Sequence, residues 1–230
     1  MPIENIQFKG DVEAHAETHL LHDQEALNHA LHNSTKEGLP PISVSPLHGK
    51  FTSILVNLSG ARNVLELGAL GGYSAIQLAR GLKGKGKVTS IEVDRHHRDV
   101  AIANLQHAGV KVPDEVEILL GAGLEVLPKL AAEIEEGKRE RFDFVFIDAD
   151  WPNQWNYFDW GVKLSNGPGS AIYIDNAVKN MFVEGVVGDH LKEDGLDVVA
   201  QIGADTRVEA TVIQTVAAKS YDGIVLAVVK

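Results

Sequence analysis

The sequence predicts an α/β protein with a mostly parallel sheet and helices on both of its faces. From residue 63 to about residue 190, strand-like and helix-like segments alternate, which is the pattern of a parallel sheet with helical crossovers. Two strand-like segments at the end of the chain follow each other without a helix, so they predict an antiparallel hairpin at the sheet edge. The 230 residues are 44% hydrophobic and 23% charged, which is typical of one globular domain with a sizeable core.

The first sixty residues predict a helical segment that precedes the sheet. Residues 14–32 contain neither proline nor glycine and carry leucines at near-helical spacing, so we expect one helix there. Pro40 and Pro41 end that segment, because proline removes a backbone donor. Pro46 suits the first turn of a second helix, which closes at Ser59-Gly60. We therefore divide the single domain, 1–230, into an N-terminal helical segment, 1–60, and an α/β core, 61–230.

Short hydrophobic runs predict the strands of the core, at 63–67, 87–93, 116–120, 142–147, 171–174, 209–216 and 223–229. Helices are predicted between them, from the glycines after residue 67 to about Arg80, and at 99–108, 123–136, 153–164 and 178–190. We expect an interruption near Pro128, because proline inside a helix removes a hydrogen bond.

Charge, cysteine content and hydropathy restrict the class of function. The formal net charge of −11 makes a nucleic-acid backbone an unsuitable partner. The absence of cysteine removes disulfides, thiolate metal ligands and a cysteine nucleophile. The first residues do not form a secretory signal, and no apolar run approaches the roughly 20 residues that span a bilayer. We therefore expect a soluble cytoplasmic protein without a membrane partner, an argument that leaves organelle interiors open.

Two of the predicted strands end in acidic residues. Residues 144–147 lead into Asp148 and Asp150, and residues 171–174 lead into Asp175 and Asn176. In an open α/β sheet, ligands bind beyond the carboxyl ends of the strands, so these side chains are expected at one functional edge. Oxygen donors clustered there suit a hard divalent cation such as Mg²⁺ or Ca²⁺. The alternative for any single aspartate is that it only caps the helix that follows.

A glycine-rich turn follows the first strand and opens a helix. It contains Gly68 but departs from the dinucleotide fingerprint, because Leu70 stands where the second glycine would follow. Glu92 ends the second strand, where an acid can accept hydrogen bonds from the ribose of NAD or of another nucleoside cofactor. Glu66 favours a nucleoside cofactor other than NAD. A carboxylate before the turn would repel a pyrophosphate and tolerate the cationic methionine part of S-adenosylmethionine.

Taken together, these segments resemble the cation-dependent O-methyltransferases, the group that contains catechol and caffeoyl-CoA O-methyltransferases. The resemblance runs from about Ile42 to the end, and it is carried by residues 64–68, 72–74, 91–92, 121–122, 142–150 and 175–176. It implies a Rossmann-like class I methyltransferase fold, with a seven-stranded sheet and one antiparallel strand near its edge. It also implies S-adenosylmethionine as methyl donor, a divalent cation (Mg²⁺ first, with Mn²⁺ or Ca²⁺ as alternatives) and a homodimer.

The resemblance assigns roles to individual residues. The implied cofactor contacts are Val44 at the methionine end, Glu66, Gly68 and Ser74 at the glycine turn, Glu92 at the ribose, Ala122 at the adenine, and Asp148 and Asp150 beside the cofactor. The implied metal ligands are Asp148, Asp175 and Asn176. Asn180 is implied as a contact of the acceptor.

One residue departs from the family pattern. Catechol-type members carry a lysine three residues after the first metal aspartate, as the general base, whereas this chain has Trp151 there. We therefore expect the cation bound by Asp148 to contribute more of the deprotonation, with Asp150 or Lys179 as proton acceptor, and Trp151 to stack on an aromatic acceptor.

The predicted reaction is methyl transfer to a hydroxyl of a small vicinal-dihydroxy phenolic of the catechol, flavonoid or caffeoyl type. Two alternatives stay open at this point. One is an NAD-dependent oxidoreductase on a similar sheet. The other is a non-catalytic relative that binds S-adenosylmethionine, for which Trp151 is the only support.

Overall fold

The computed structural model describes residues 9–188 and 197–230 and contains a seven-stranded sheet in these residues. Its strands are β1 (Asn63–Leu67), β2 (Lys87–Glu92), β3 (Val116–Leu120), β4 (Phe144–Ile147), β5 (Ala171–Ile174), β6 (Val208–Val216) and β7 (Tyr221–Val229). They lie in the order β3-β2-β1-β4-β5-β7-β6. The first five strands pair in parallel, and β7 is antiparallel to both of its neighbours. This confirms the predicted mostly parallel sheet with an antiparallel hairpin at its C-terminal end.

Helices cover both faces of this sheet. They are α1 (Lys9–Leu20), α2 (Glu25–Lys36), α3 (Pro46–Ser59), α4 (Tyr73–Leu82), α5 (Arg95–His107), α6 (Gly123–Glu135), α7 (Gln154–Leu164), α8 (Ala177–Val183) and α9 (Val198–Ala204). One core joins α2, α3, α4 and α5 to the sheet, and a second core joins α6, α7 and α9 to its other face. Val64 and Leu65 of β1 are both fully buried, one in each core, because successive side chains of a strand point to opposite faces.

The helical segment before the sheet differs from its prediction. The single helix expected at 14–32 is wrong, because α1 ends at Leu20 and α2 begins at Glu25. Asp23 between them has a φ of 54°, a left-handed conformation that interrupts a right-handed helix. The second predicted helix is α3, with Pro46 in its first turn and left-handed Gly60 at its end.

Several elements of the core also differ from their predictions. The interruption expected at Pro128 is wrong, because α6 runs through it and buries Leu127 and Leu130. α5 begins at Arg95, four residues before its predicted start, because Asp94 caps it by accepting hydrogen bonds from the amides of residues 96 and 97. β4 begins at Phe144, since Phe142 forms only an isolated bridge. α8 ends at Val183, and residues 189–190 of the predicted helix lie outside the described residues.

In the described ranges, we find no helix with the length and apolar character that crossing a membrane requires.

Candidate active site

The carboxyl ends of the parallel strands open into a cavity of about 870 Å³. A volume of this size suits a drug-sized ligand, for which pockets of roughly 300–1,000 Å³ are usual. Most of the residues predicted for the site line it, namely Val44, Gly68, Ser74, Glu92, Ala122, Asp148, Asp150, Trp151, Asp175, Asn176 and Lys179. The fold therefore brings together side chains that are far apart in the sequence.

Gly68 joins the glycine turn to the end of β4. It has a φ of 97°, and a Cβ placed on it would lie 1.9 Å from the carbonyl oxygen of Asp148. The turn and the β4 end are also linked by a hydrogen bond of 3.0 Å from the Asp148 amide to the Leu67 carbonyl. Only glycine fits here, since any side chain would separate the two strand ends.

Glu92 is held at the end of β2 by two backbone amides. The Leu70 amide donates to one carboxylate oxygen over 2.8 Å, and the Asp94 amide donates to the other over 2.9 Å. Leu70 adopts a φ of 45°, which turns its amide toward the carboxylate. Because each carboxylate oxygen can accept more than one hydrogen bond, Glu92 retains acceptor capacity toward the cavity.

A buried asparagine locks the glycine turn to the N-terminal helical segment. Asn104 of α5 is fully buried, and its Nδ2 donates to the Gly71 carbonyl over 2.8 Å and to the Ala30 carbonyl and Ser34 Oγ over 3.3 Å. Its Oδ1 accepts from Asn33 over 2.8 Å. A Cβ on Gly71 would lie 2.0 Å from Ser34 Oγ, so α2 packs directly on the turn. Sequence reasoning missed this contact, because its partners lie on separate elements.

Asp148 and Asp175 form an acidic group at the ends of β4 and β5. Burial raises the pKa of both carboxyls, and the charge of Asp175 raises the pKa of Asp148 further. The negative charge of Asp222 also raises the pKa of both carboxyls. Neighbouring carboxylates that disfavour each other's ionisation are stabilised by a cation placed between them.

The amide of Asn176 is oriented by Asp222. Nδ2 of Asn176 donates to an Asp222 carboxylate oxygen over 2.7 Å. The Lys179 amide donates to the other oxygen over 3.0 Å, and Lys179 Nζ lies 3.1 Å from Asp222 in an ion pair. Asp222 therefore fixes two of the predicted site residues. Sequence reasoning missed it, and its place at the start of the last strand offers no local signal.

The predicted metal ligands are two carboxylates and one amide. Within residues 9–188 and 197–230, no three His, Cys, Asp or Glu side chains converge as a metal-binding group. The predicted set does not need three such residues, because it takes its third oxygen from Asn176. Partly buried oxygen donors with raised carboxyl pKa values fit a hard divalent cation.

His48 of α3 also faces the acidic group. Its Nε2 is hydrogen-bonded to the hydroxyl of Tyr173 and lies 3.8 Å from a carboxylate oxygen of Asp175. Burial raises the pKa of Tyr173, so this tyrosine stays protonated at neutral pH. His48 lines the cavity, and its contact with buried Tyr173 gives it a packing role as well.

Trp151 and Asp150 form the wall beside the acidic group. Trp151 opens a short 3₁₀ turn, Trp151–Asn153, and lines the cavity where the family pattern has a lysine. Asp150 accepts hydrogen bonds of 2.5 Å from the Tyr157 hydroxyl and from Asn153. These contacts hold the Asp150 carboxylate in the wall of the cavity.

Two predicted site residues are not among those that line the cavity. Glu66 is fully buried under the glycine turn, where Ser90 Oγ donates to it over 2.5 Å, and burial raises its pKa to about 7. The charge expected of Glu66 is therefore only partly present at neutral pH. Asn180 is buried and donates to Gln154 over 2.8 Å, behind the acidic group.

The fold and the site together define a Rossmann-like protein of the methyltransferase class, with a ligand cavity at the carboxyl ends of its strands. A family model described as O-methyltransferase matches residues 16–230. The chain therefore belongs to the O-methyltransferase family, as its sequence predicted.

Two relatives match across most of the chain, and a third matches part of it. O-methyltransferase imqG of Aspergillus flavus is 42% identical over 210 residues, which are 89% of this chain and 83% of the relative. A catechol O-methyltransferase of Niastella koreensis is 38% identical over 98% of this chain and 100% of its own length. Caffeoyl-CoA O-methyltransferase 1 of Eucalyptus globulus is 33% identical over 139 residues, which are 60% of this chain and 54% of the relative.

Solved structures show the same fold. An O-methyltransferase from Bacillus cereus in complex with SAH superposes with a TM-score of 0.86 and 39% identity, over 98% of this chain and 100% of that chain. TomG from Streptomyces achromogenes, in complex with SAM, superposes with a TM-score of 0.84 and 33% identity, over 99% of this chain and 100% of that chain.

Proposed function

We propose that this protein transfers a methyl group from S-adenosylmethionine to one hydroxyl of a small vicinal-dihydroxy phenolic, and that the reaction depends on a divalent cation. The observation that carries the proposal is the cavity in which the glycine turn, Glu92 and the acidic group of Asp148 and Asp175 meet. Relatives named catechol and caffeoyl-CoA O-methyltransferase support the class of acceptor, and the SAH and SAM complexes of two structural neighbours support the cofactor.

The cofactor would occupy the side of the cavity formed by the first three strands. Gly68 allows the ligand to approach the backbone closely, and Glu92 can accept hydrogen bonds from ribose hydroxyls. Val44, Ser74 and Ala122 border the same space. S-adenosylmethionine bound there supplies an electrophilic methyl group on a sulfonium. These residues would orient the methyl group toward the acceptor.

Asp148, Asp175 and Asn176 would hold the cation, with Asp222 fixing the Asn176 amide. A divalent cation at this place supplies Lewis acidity, which lowers the pKa of a phenolic hydroxyl in contact with it. The residues around it position the acceptor. Holding two reactants in line can contribute about 7–11 kcal/mol in favourable cases.

Asp150 and Lys179 are the two candidates for the proton acceptor. Lys179 forms an ion pair with Asp222, so its contacts suit the positioning of Asp222 better than proton acceptance. Asp150 is exposed at the cavity wall and can pass a proton to solvent. Trp151 offers an aromatic face to an aromatic acceptor.

The test is methyl transfer from S-adenosylmethionine to a catechol, a flavonoid and an acyl-CoA thioester, with Mg²⁺ and after rigorous chelation. Activity should require Mg²⁺, and Asp175→Ala should abolish it while calorimetry still detects the cofactor. Full activity after metal removal would refute the cation dependence. Binding of NAD in place of S-adenosylmethionine would refute the reaction itself.

Trp151→Lys tests the missing base in the same assay. It should raise the catechol rate if deprotonation limits the reaction, since it restores the lysine of catechol-type relatives. An unchanged rate would indicate that the cation alone suffices for deprotonation. Trp151→Phe is the matched control, because it keeps an aromatic face and adds no base.

A further inference from the structure

The hairpin turn between β6 and β7 carries a lysine to the rim of the cavity. Lys219 is exposed, lines the cavity, and donates from Nζ to the carbonyls of Pro41 and Ser43 over 3.2 and 3.1 Å. These bonds tie the turn to the segment that leads to Val44. They also fix the position of the ammonium group, so its charge stays at one place of the rim.

Lys219 differs from the other basic side chains of the cavity in having no carboxylate beside it. His48 lies 3.8 Å from Asp175, His97 lies 3.7 Å from Glu92, and Lys179 lies 3.1 Å from Asp222. In the described part of the chain, no carboxylate lies within ion-pair distance of Lys219. Carbonyl oxygens accept its hydrogen bonds and bring no counter-charge. The Glu13 carboxylate also contacts this turn, but it accepts from the backbone amide of Ala218.

The ammonium group also retains a donor. Lysine has three N–H groups, and Lys219 uses two of them on the carbonyls. An ammonium that is held in place, lacks a counter-charge and has one donor to spare suits an anionic oxygen. Charge-assisted hydrogen bonds of this kind are about twice as strong as neutral ones.

The topology places Lys219 on the acceptor side. The predicted cofactor residues lie at the ends of β1, β2 and β3, and the predicted cation ligands follow β4 and β5. Lys219 precedes β7, which lies beyond β5, on the side of the cation ligands away from the glycine turn. This order favours the acceptor as the source of an anion at Lys219. Its bond to Ser43, the neighbour of Val44, makes the carboxylate of the cofactor the competing source, and the experiment below separates the two.

We infer that Lys219 binds a carboxylate of the acceptor, so that this enzyme prefers vicinal-dihydroxy phenolic acids to neutral catechols. This inference rests on the proposed function and specifies its substrate class. Lys219 Nζ bonds to the carbonyls of Pro41 and Ser43 and forms no ion pair with Asp148 or Asp175, which would hold the cation.

The experiment compares two acceptors of nearly equal shape, 3,4-dihydroxybenzoate and 3,4-dihydroxybenzamide, with Mg²⁺ and saturating S-adenosylmethionine. The ratio of their kcat/KM values is measured for wild type, Lys219→Met, Lys219→Arg and Lys50→Met. Comparing the ratio between variants cancels the different intrinsic acidities of the two acceptors. Lys50 is exposed on α3 and does not line the cavity, so its variant controls for the loss of one positive charge.

We expect Lys219→Met to lower the acid-to-amide ratio by about tenfold or more, because it removes a hydrogen bond to a charged group. Lys219→Arg should keep most of the preference, and Lys50→Met should keep all of it. An unchanged ratio in Lys219→Met overturns the inference, as does a higher KM for S-adenosylmethionine with the ratio unchanged. If Lys219→Met does not fold, a wild-type KM for the acid that is no lower than for the amide overturns it. If wild type methylates a catechol or a flavonoid but neither of these two compounds, the inference is overturned and the proposed function stands. If it methylates none of these acceptors, the proposed function is refuted.

Discussion

Replacing Gly68 by alanine should damage both the stability of the protein and the geometry of its site. The Cβ of alanine would lie 1.9 Å from the Asp148 carbonyl oxygen and 2.9 Å from its carbonyl carbon. Because real Cβ contacts stay above 3.0 Å, the two strand ends must separate by at least about 1 Å. The change therefore acts on the glycine turn and on the acidic group at once.

The expected loss in the free energy of unfolding has two parts. A left-handed conformation costs a non-glycine residue about 1–2 kcal/mol, and strain in the separated strand ends adds about 1–3 kcal/mol. We expect a loss of about 3 kcal/mol in the free energy of unfolding. Gly109→Ala is the matched control, because Gly109 also has a positive φ, 76°, but nothing lies within 4 Å of its Cβ position. That variant should lose only about 1 kcal/mol.

Urea denaturation measures the first effect, and calorimetry with S-adenosylmethionine and single-turnover methyl transfer measure the second. A misplacement of about 1 Å can cost about 100-fold in rate, so the chemical step of Gly68→Ala should fall by this order while that of Gly109→Ala stays near wild type. Equal stability and equal activity of the two variants would refute the coupling of the turn to the end of β4.

Three further predictions follow from buried groups. Burial raises the pKa of Glu66 from 4.5 to about 7, so the folded state holds this proton longer than the unfolded state and stability falls as pH rises from 4.5 to 7. Glu66→Gln should remove a pH dependence of about 3 kcal/mol in urea denaturation, and identical pH profiles would contradict it. Asn104→Ala leaves buried partners unpaired, so it should lower the free energy of unfolding by about 2–4 kcal/mol and raise the KM for S-adenosylmethionine. Asn33→Ala is the control, because it keeps the bond between Asn104 and Gly71 and should leave that KM unchanged. Mg²⁺ should raise the melting temperature more at pH 8 than at pH 6, because protons compete for Asp148 and Asp175, whose pKa values are raised; a shift that is the same at both pH values would count against the cation site.

The strands and their acidic ends could be predicted because their signals are local. Residues 144–147 and 171–174 are continuous hydrophobic runs, and each occurs in the structure as a strand buried on both faces. The helix bounds were harder to predict. The break between α1 and α2 coincides with one left-handed residue, Asp23. α6 passes through Pro128 and buries Leu127 and Leu130, and this packing cannot be seen in the local sequence.

The supports of the site could not be predicted, because they join residues that are distant in the sequence. Asp222 and Asn176 are 46 residues apart, and Asn104 and Gly71 are 33 residues apart. No pattern within either segment marks these pairs. The same holds for Lys219, which meets Pro41 across 178 residues. Glu66 shows a different limit of the sequence. Its position predicted a charged side chain beside the cofactor, but the structure buries it, and burial raises its pKa to about 7.

The acidic strand ends are costly for the protein unless a ligand compensates for them. Burial and mutual repulsion raise the pKa values of Asp148 and Asp175, so ionising both at neutral pH lowers stability. Lys179 forms an ion pair with Asp222, and His48 lies beside Asp175. In the described residues, Asp148 has no lysine, arginine or histidine within ion-pair distance. A fold selected only for stability would not keep these carboxyls together at the floor of a cavity. Their arrangement is understandable if a bound cation restores the lost stability, because a positive charge beside them would favour the ionised form of both carboxyls.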